Sequence, residues 1–309
     1  MSIEEARLRV AHWLASDRTT VLNLSRLKLT EIPDNLPNDF NGTLLCYNNQ
    51  LTTLSLPMAT NVDCSHNQLI TLSLPMATNV DCSDNQLTDL FLPMATKVLC
   101  YRNQLTDLFL PMVDYVDCDN NQLTSLSLPM ATEVHCSFNQ LTALSAPMAT
   151  DVRCYHNQLT ALSAPMASKV SCSNNKLTNL SLPMATEVMC QDNQLTTLSA
   201  PNAIWITCHN NQLTSLSLPE ARCVDCYNNQ LTTLSVPRAD VVLCYDNPIE
   251  FRLSCLMPIT KELIRPCIFI VRKVVNQWLD IVKHRNKLIK SKSECIPKPL
   301  MHFSIAKST

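Results

Sequence analysis

A unit of 18 residues recurs along most of this chain, and every copy contains a cysteine followed three residues later by an asparagine. The cysteines run from Cys46 to Cys244 and the asparagines from Asn49 to Asn247 without interruption. Most copies approximate Val-x-Cys-x-x-Asn-Gln-Leu-Thr-x-Leu-x-Leu-Pro-Met-Ala-Thr-x. A coil this small cannot bury an apolar face alone. The strict period therefore predicts a solenoid in which each coil packs on its neighbours.

The apolar positions of the unit match the leucine-rich-repeat pattern L-x-x-L-x-L-x-x-N-x-L. In one copy, Ala59, Val62 and Cys64 take the first three apolar positions, and Asn67 and Leu69 follow them. Inward valine and cysteine alternate with outward residues, which predicts a very short parallel strand in each coil. We therefore predict an α/β-class leucine-rich-repeat solenoid with short parallel strands on the concave face, extended convex segments and helical caps.

Three segments are predicted within the 309 residues. Residues 1–20 form an N-terminal helical cap, and residues 21–249 form a solenoid of about 13 repeats. Residues 250–309 form a basic C-terminal helical cap and a disordered tail. Both caps are predicted from apolar residues at helical spacing. The inward residues of the first cap are Ile3, Ala6, Val10, Trp13 and Leu14, and the second has a stripe of Val271, Val274, Val275, Trp278 and Val282.

Most of the sixteen cysteines are predicted to be reduced structural thiols. Twelve take the inward strand position, where a free cysteine behaves as a small hydrophobe. The only Cys-x-x-Cys spacing joins Cys223 to Cys226, whose side chains should point to opposite faces of a strand. No nucleophile elbow, phosphate loop or metalloprotease motif is present. We therefore expect no enzyme activity, no cofactor and no metal.

Charge is distributed unevenly along the chain. Residues 1–260 contain 13 basic and 23 acidic side chains, whereas residues 261–309 contain 11 basic and 3 acidic ones. An acidic body argues against nucleic acid as the ligand, because phosphate binding requires clustered Lys and Arg. The chain has no apolar signal core and no run of 18 apolar residues. We expect cytoplasmic synthesis, with membrane contact only through the basic C-terminal helix.

Information about a partner is expected at the outward strand positions, because the repeat fixes the core positions. Aromatic and arginine side chains dominate binding hot spots, although aromatics could also appear at these variable positions through repeat drift. Tyr227 and Tyr245 share one repeat position and should stand side by side. Acidic residues on the same face predict a partner with a basic patch. The predicted partner-binding residues are Tyr101, Tyr155, Trp205, His209, Tyr227 and Tyr245.

The segment TVLNLSRLKLTEIPDNLP (20–37), followed by LLCYNNQLTTLSLP (44–57), resembles a known family. It is similar to the leucine-rich-repeat module of secreted bacterial effectors that carry a novel E3 ubiquitin ligase domain. The closing YDNPI (245–249) also resembles their last coil, so the match covers about residues 1–250. The period here is 18 rather than about 20. Only 60 residues follow the repeats, too few for the ligase domain.

The resemblance implies a non-catalytic, effector-like bacterial protein that recognises a host protein through its concave face. It also implies secretion into a host cell without a cleavable signal peptide. Two alternatives remain open: a degenerate or split E3 ligase substrate-recognition module, and a structural or surface repeat protein. The family's Cys-x-Asp signature begins at Cys82, Cys190 and Cys244, but all three cysteines are in repeat register. We interpret these matches as coincidences of the repeat.

Overall fold

The computed structural model of the protein describes residues 2–16 and 18–249. The chain divides into two compact units, Met1–Leu177 and Thr178–Thr309. The predicted C-terminal cap and tail, over residues 250–309, lie outside the described residues. The predicted segment boundaries at residues 20 and 249 therefore stay predictions, and each unit is described by itself.

The described residues form one α-helix and strands of two or three residues. The elements of the first unit are α1 (Ser2–Ala15), β1 (Leu22–Asn23), β2 (Thr43–Leu45), β3 (Thr53–Ser55), β4 (Asn61–Asp63), β5 (Thr71–Ser73), β6 (Asn79–Asp81), β7 (Lys97–Leu99), β8 (Tyr115–Asp117), β9 (Glu133–His135), β10 (Ala143–Ser145), β11 (Asp151–Arg153), β12 (Ala161–Ser163) and β13 (Lys169–Ser171). The elements of the second unit are β14 (Asn179–Ser181), β15 (Glu187–Met189), β16 (Thr197–Ser199), β17 (Trp205–Thr207), β18 (Ser215–Ser217), β19 (Cys223–Asp225), β20 (Thr233–Ser235) and β21 (Val241–Leu243).

The strands of each unit form parallel ladders in repeat register. In the first unit the main order is β1-β2-β4-β6-β7-β8-β9-β11-β13, and in the second it is β15-β17-β19-β21. Val62 pairs with Val80, for example, so equivalent residues stand beside each other. We call the outward side of these main ladders the concave face. Shorter ladders, β3-β5 and β10-β12 in the first unit and β14-β16 and β18-β20 in the second, form the opposite side.

The cysteine row lies inside the solenoid, as predicted. Each repeat cysteine from Cys46 to Cys244 is buried. Burial raises the pKa of these thiols, to about 12 for Cys172 and to about 11 for Cys244. Cys223 is exposed and Cys226 is buried, so the two do point to opposite faces.

The repeat asparagines connect successive coils through their side-chain amides. Asn67 Nδ2 donates to the carbonyl oxygens of Cys64 in its own coil and Cys46 in the preceding coil, at 3.0 Å each. Its Oδ1 accepts the Leu51 N–H at 3.0 Å. The second coil that the amide bonds is therefore the preceding one. Each amide thereby satisfies backbone groups that would otherwise be buried without partners.

The convex segments contain short extended strands such as β3 and β5, as predicted, but the Pro-Met part forms a tight turn. The Ala59 N–H donates to the Leu56 carbonyl at 3.3 Å, which closes a turn around Pro57 and Met58. Proline suits this position because its φ is already near the value that the turn requires. The methionine that follows is exposed in each coil that contains it, from Met58 to Met184, as expected for a rim position.

A left-handed residue follows the cysteine by two positions in each coil, with φ between 52° and 58°. Asparagine and aspartate tolerate this conformation best among residues other than glycine. Eight of the twelve positions have one of those two residues, and four do not. The four exceptions are His66, Arg102, Phe138 and His156.

Helix α1 packs against the beginning of the first unit. Ala6, Val10 and Trp13 are buried, whereas Ile3 and Leu14 are only partly covered. The Trp13 ring lies 5.0 Å from the Phe40 ring, and its Nε1–H donates to the Thr20 carbonyl at 2.8 Å. The indole therefore buries its apolar body while its only donor is satisfied.

We expect the buried cysteine row to be chemically inert. Thiolate is the reactive form, and burial raises the pKa of these thiols well above neutral pH. Under native conditions, a thiol reagent followed by peptide mass spectrometry should modify the accessible Cys223 and leave Cys136 and Cys154 unmodified. In denaturant all three should react alike. Rapid native modification of Cys136 would contradict its inward placement.

Candidate functional site

Three aromatic rings stack on the concave face of the second unit. The His209 and Tyr227 rings lie 4.2 Å apart at 10°, and the Tyr227 and Tyr245 rings lie 4.4 Å apart at 8°. Their separation follows from the spacing of neighbouring strands, about 4.8 Å. The prediction that Tyr227 and Tyr245 stand side by side is confirmed. The stack extends over three consecutive coils and is partly accessible to solvent.

Trp205 lies on the same face, outside the stack. It begins β17 and is 56% exposed, whereas His209 follows the end of that strand. His209 Nδ1 lies 3.2 Å from Asp225 Oδ2, which gives the first ring of the stack an acidic neighbour. Burial raises the pKa of Asp225, although the attraction of His209 partly offsets this effect. The second unit therefore offers rigid aromatic surface beside a carboxylate.

The first unit has a separate aromatic cluster around Tyr155. The Phe138 ring packs edge-on against Tyr155 at 5.3 Å and stacks on His156 at 4.6 Å. Phe138 occupies a left-handed position that disfavours its bulky side chain, and His156 occupies the equivalent position in the next coil. Tyr101, the other residue predicted in this unit, is half-buried and lies outside this cluster. Phe138 and His156 were not among the predicted partner-binding residues.

His135, the last residue of β9, is covered by its neighbours. It belongs to the concave face, but only 8% of it is exposed. The Tyr115 ring packs edge-on against it at 5.6 Å, and Lys97 Nζ lies 5.3 Å from the Tyr115 ring centroid. The Tyr115 side chain of the preceding coil therefore helps to cover the imidazole. The repeat position of His135 alone does not predict this burial.

Half-buried acidic groups accompany these rings in the first unit. Asp119 Oδ1 accepts the backbone N–H of Ser137 in the next coil at 2.5 Å. Burial, together with repulsion from Asp117, raises the pKa of Asp119 to about 6. Burial also raises the pKa of Asp81, although hydrogen bonds from Ser83 partly counter this. The concave face therefore presents acidic groups that are incompletely solvated.

An exposed aromatic pair on the opposite side of the first unit was missed by the sequence analysis. Phe91 and Phe109 are each 60% exposed and lie side by side in adjacent coils, at a position that is serine elsewhere in the repeat. Asp89 and Asp107 precede them, and the residues line a shallow cavity of about 430 Å³. Comparing each convex position across the repeats would have found this pair.

Several solved structures share the fold of this chain. The leucine-rich effector protein YopM from Yersinia pestis is 23% identical, with a TM-score of 0.59, over 80% of this chain and 82% of that one. The functional domain of InlJ from Listeria monocytogenes, described as including a cysteine ladder, is 24% identical with a TM-score of 0.59. That match covers 74% of this chain and 64% of the InlJ chain. YopM from Yersinia enterocolitica is 19% identical, with a TM-score of 0.52, over 79% and 72% of the two chains.

These likenesses establish a leucine-rich-repeat solenoid, as the repeat pattern predicted. No protein-family model and no curated protein matches the chain. In the part of the chain that the structure describes, no helix is long and apolar enough to cross a membrane.

The raised pKa of Asp119 predicts a specific dependence of stability on pH. The folded state binds this proton more tightly than the unfolded state, so folding stability should fall as pH rises from about 4 to about 6. Asp119→Asn should reduce this fall while retaining an acceptor for Ser137. Urea unfolding at pH 4 and pH 7 should show that the variant loses less stability than the wild type over this range.

The exposed Asp107 provides a control, since Asp107→Asn removes one carboxylate from the same unit. The folding stability of the Asp107→Asn variant should change with pH as that of the wild type does. An Asp119→Asn variant with the wild-type slope would contradict the placement of this carboxyl group.

Proposed function

We propose that this chain is a non-catalytic protein-binding module that recognises its partner through the concave face. The observation that supports this most is the His209–Tyr227–Tyr245 stack, with exposed Trp205 on the same face. The repeat requires no aromatic side chain at these positions. Rigid aromatic rings provide contact area at a low cost in conformational entropy, which makes them effective in binding surfaces.

The partner that fits this surface has a basic patch. Carboxylates recur along the concave face, and among them Asp63, Asp117 and Asp225 keep part of their surface accessible. Charge complementarity would accelerate association and disfavour acidic partners. Tyr101 and Tyr155 are the corresponding candidates on the concave face of the first unit.

The partner class that we favour is a host protein, with this chain acting as a bacterial effector. The resemblance of residues 20–57 to effector modules supports this, and so does the structural similarity to YopM, which is itself a leucine-rich effector protein. Secretion into a host cell is part of the same proposal. If mutation of each aromatic residue on the concave face is equally well tolerated, a structural or surface role is favoured instead.

The degenerate or split E3 ligase remains a second candidate because the sequence resemblance is to modules of that family. The repeat cysteines from Cys46 to Cys244 offer little support for a transfer enzyme. Cys82 and Cys244 both belong to Cys-x-Asp matches, and both are buried with raised pKa values. A thioester-forming cysteine requires an accessible thiolate.

Alanine substitutions should locate the binding surface. Tyr227→Ala or Trp205→Ala should weaken partner binding by about 2 kcal/mol or more, as expected for hot spots. The fold should change little because neither side chain belongs to the core. The wild-type chain and both variants would be used to capture proteins from a candidate host lysate, with quantitative mass spectrometry identifying proteins lost from the variants. Isothermal titration with the identified protein would then give the affinities.

Tyr47→Ala is the matched control, because Tyr47 occupies the same repeat position in an early coil, beside Arg26. This variant should retain the partner. If the Tyr227 and Trp205 variants bind normally while Phe91→Ser and Phe109→Ser lose the partner, the proposed face is wrong. Serine is the residue that the repeat normally has at those two positions.

The chain should show no ubiquitin transfer of its own. Incubation with ubiquitin, an activating enzyme and a conjugating enzyme should leave no reducible ubiquitin adduct on the chain. Among the three Cys-x-Asp matches, Cys244 should be tested first. It is the least buried of the three cysteines, although only 5% of it is exposed. An adduct that forms on the wild type and disappears in Cys244→Ala would favour the ligase candidate.

A further inference from the structure

The concave face of the first unit has three potential metal-binding side chains in one place. Glu133 and His135 lie two residues apart on β9, so both belong to the same side of the strand. Asp151 on β11 is the register partner of Glu133. One ligand atom from each of the three lies within 4.8 Å of the other two. His135 Nε2 is 3.6 Å from Glu133 Oε1.

The imidazole supplies an independent reason to expect a ligand here. His135 is only 8% exposed, and its Nε2 is buried without a hydrogen-bond partner. A buried polar atom without a partner is costly and uncommon. The other ring nitrogen, Nδ1, lies 4.0 Å from Asp117 Oδ2. A carboxylate beside the far nitrogen is the arrangement that commonly orients a metal-binding histidine.

The local charges also favour a cation. Glu133 and Asp151 are register partners on neighbouring parallel strands, so their like charges repel at short range. Arg153 Nη2 lies 3.2 Å from Asp151 Oδ2 and partly compensates. The Arg153 side chain is 49% exposed, so it can leave Asp151 at little cost. A bound metal ion would take the place of the Arg153 guanidinium beside Asp151.

We propose that Glu133, His135 and Asp151 bind a divalent transition-metal ion of the Zn²⁺ and Co²⁺ class. One imidazole nitrogen and two carboxylates are suitable ligands for such an ion, at about 2.0–2.2 Å. Small rotations of the two carboxylates, which remain partly accessible, bring their oxygens within this range. Three protein ligands leave room for water or for a donor group from a partner. This proposal does not depend on the proposed protein-binding function, and its test needs no partner.

Calorimetric titration of the full chain with Zn²⁺ tests the site directly. His135→Gln and Glu133→Gln should each weaken binding at least about tenfold, the smallest loss commonly seen even when a group that supports a metal ligand is changed. His156→Gln is the matched control, since it alters an imidazole of the neighbouring coil that stacks on Phe138. Its affinity should equal that of the wild type. Circular dichroism verifies folding. Glu133 is only partly buried, so Glu133→Gln keeps the test valid if His135→Gln fails to fold.

Cobalt spectroscopy distinguishes this site from cysteine binding. Co²⁺ bound at the proposed site should give weak visible bands without sulfur-to-metal charge-transfer absorption, and these bands should disappear in Glu133→Gln. Absorption dominated by thiolate ligation, or equal Zn²⁺ affinity in the wild type and both site variants, would overturn the proposal.

Arg153 provides a further test because it competes for Asp151. Arg153→Met removes the cation and keeps most of the side-chain volume, so Zn²⁺ affinity should increase. Unchanged or weaker binding by this variant would contradict Asp151 as a ligand.

Discussion

The side-chain amide of the repeat asparagine is the interaction on which this fold depends. A coil of 18 residues turns directly after a very short strand. Neither a helix nor a longer strand is there to hydrogen-bond the backbone groups of the turn. Asn139 illustrates the solution: Nδ2 donates to the carbonyls of Cys118 and Cys136, and Oδ1 accepts the Leu123 N–H. These are buried groups, and leaving each unsatisfied would cost about 1–3 kcal/mol. One side chain thus connects two coils at the spacing that the strand ladder gives them.

That spacing determines what the variable residues can do. Equivalent positions lie about 4.8 Å apart, so two or three similar side chains in successive coils necessarily meet. This is how His209, Tyr227 and Tyr245 become a stack, and how Phe91 and Phe109 become an exposed pair. The same geometry places Glu133 opposite Asp151. Residues that depart from the repeat therefore form surface clusters, whereas the residues that recur every 18 positions form the core.

Much of the architecture could be predicted because the repeat dictates its own register. The inward cysteine row, the parallel strands and the side-by-side tyrosines all follow from counting in steps of 18. The turn at Pro57 was not anticipated, because proline's missing N–H and fixed φ fit either an extended segment or a turn. The burial of His135 was also missed. It depends on the Tyr115 ring from the preceding coil, and the direction of a side chain is not contained in a repeat pattern.

The role of the asparagine can be tested at a single amide. In native-state hydrogen exchange, the Leu123 N–H, which donates to Asn139 Oδ1 at 3.0 Å, should be well protected in the wild type. Asn139→Ala should greatly reduce that protection and lower the free energy of unfolding by roughly 3 kcal/mol or more. The Leu87 N–H, which donates to Asn103 two coils earlier, should stay protected, and Gln140→Ala at the exposed neighbouring residue should change little. Unchanged protection of Leu123 in Asn139→Ala would contradict the account.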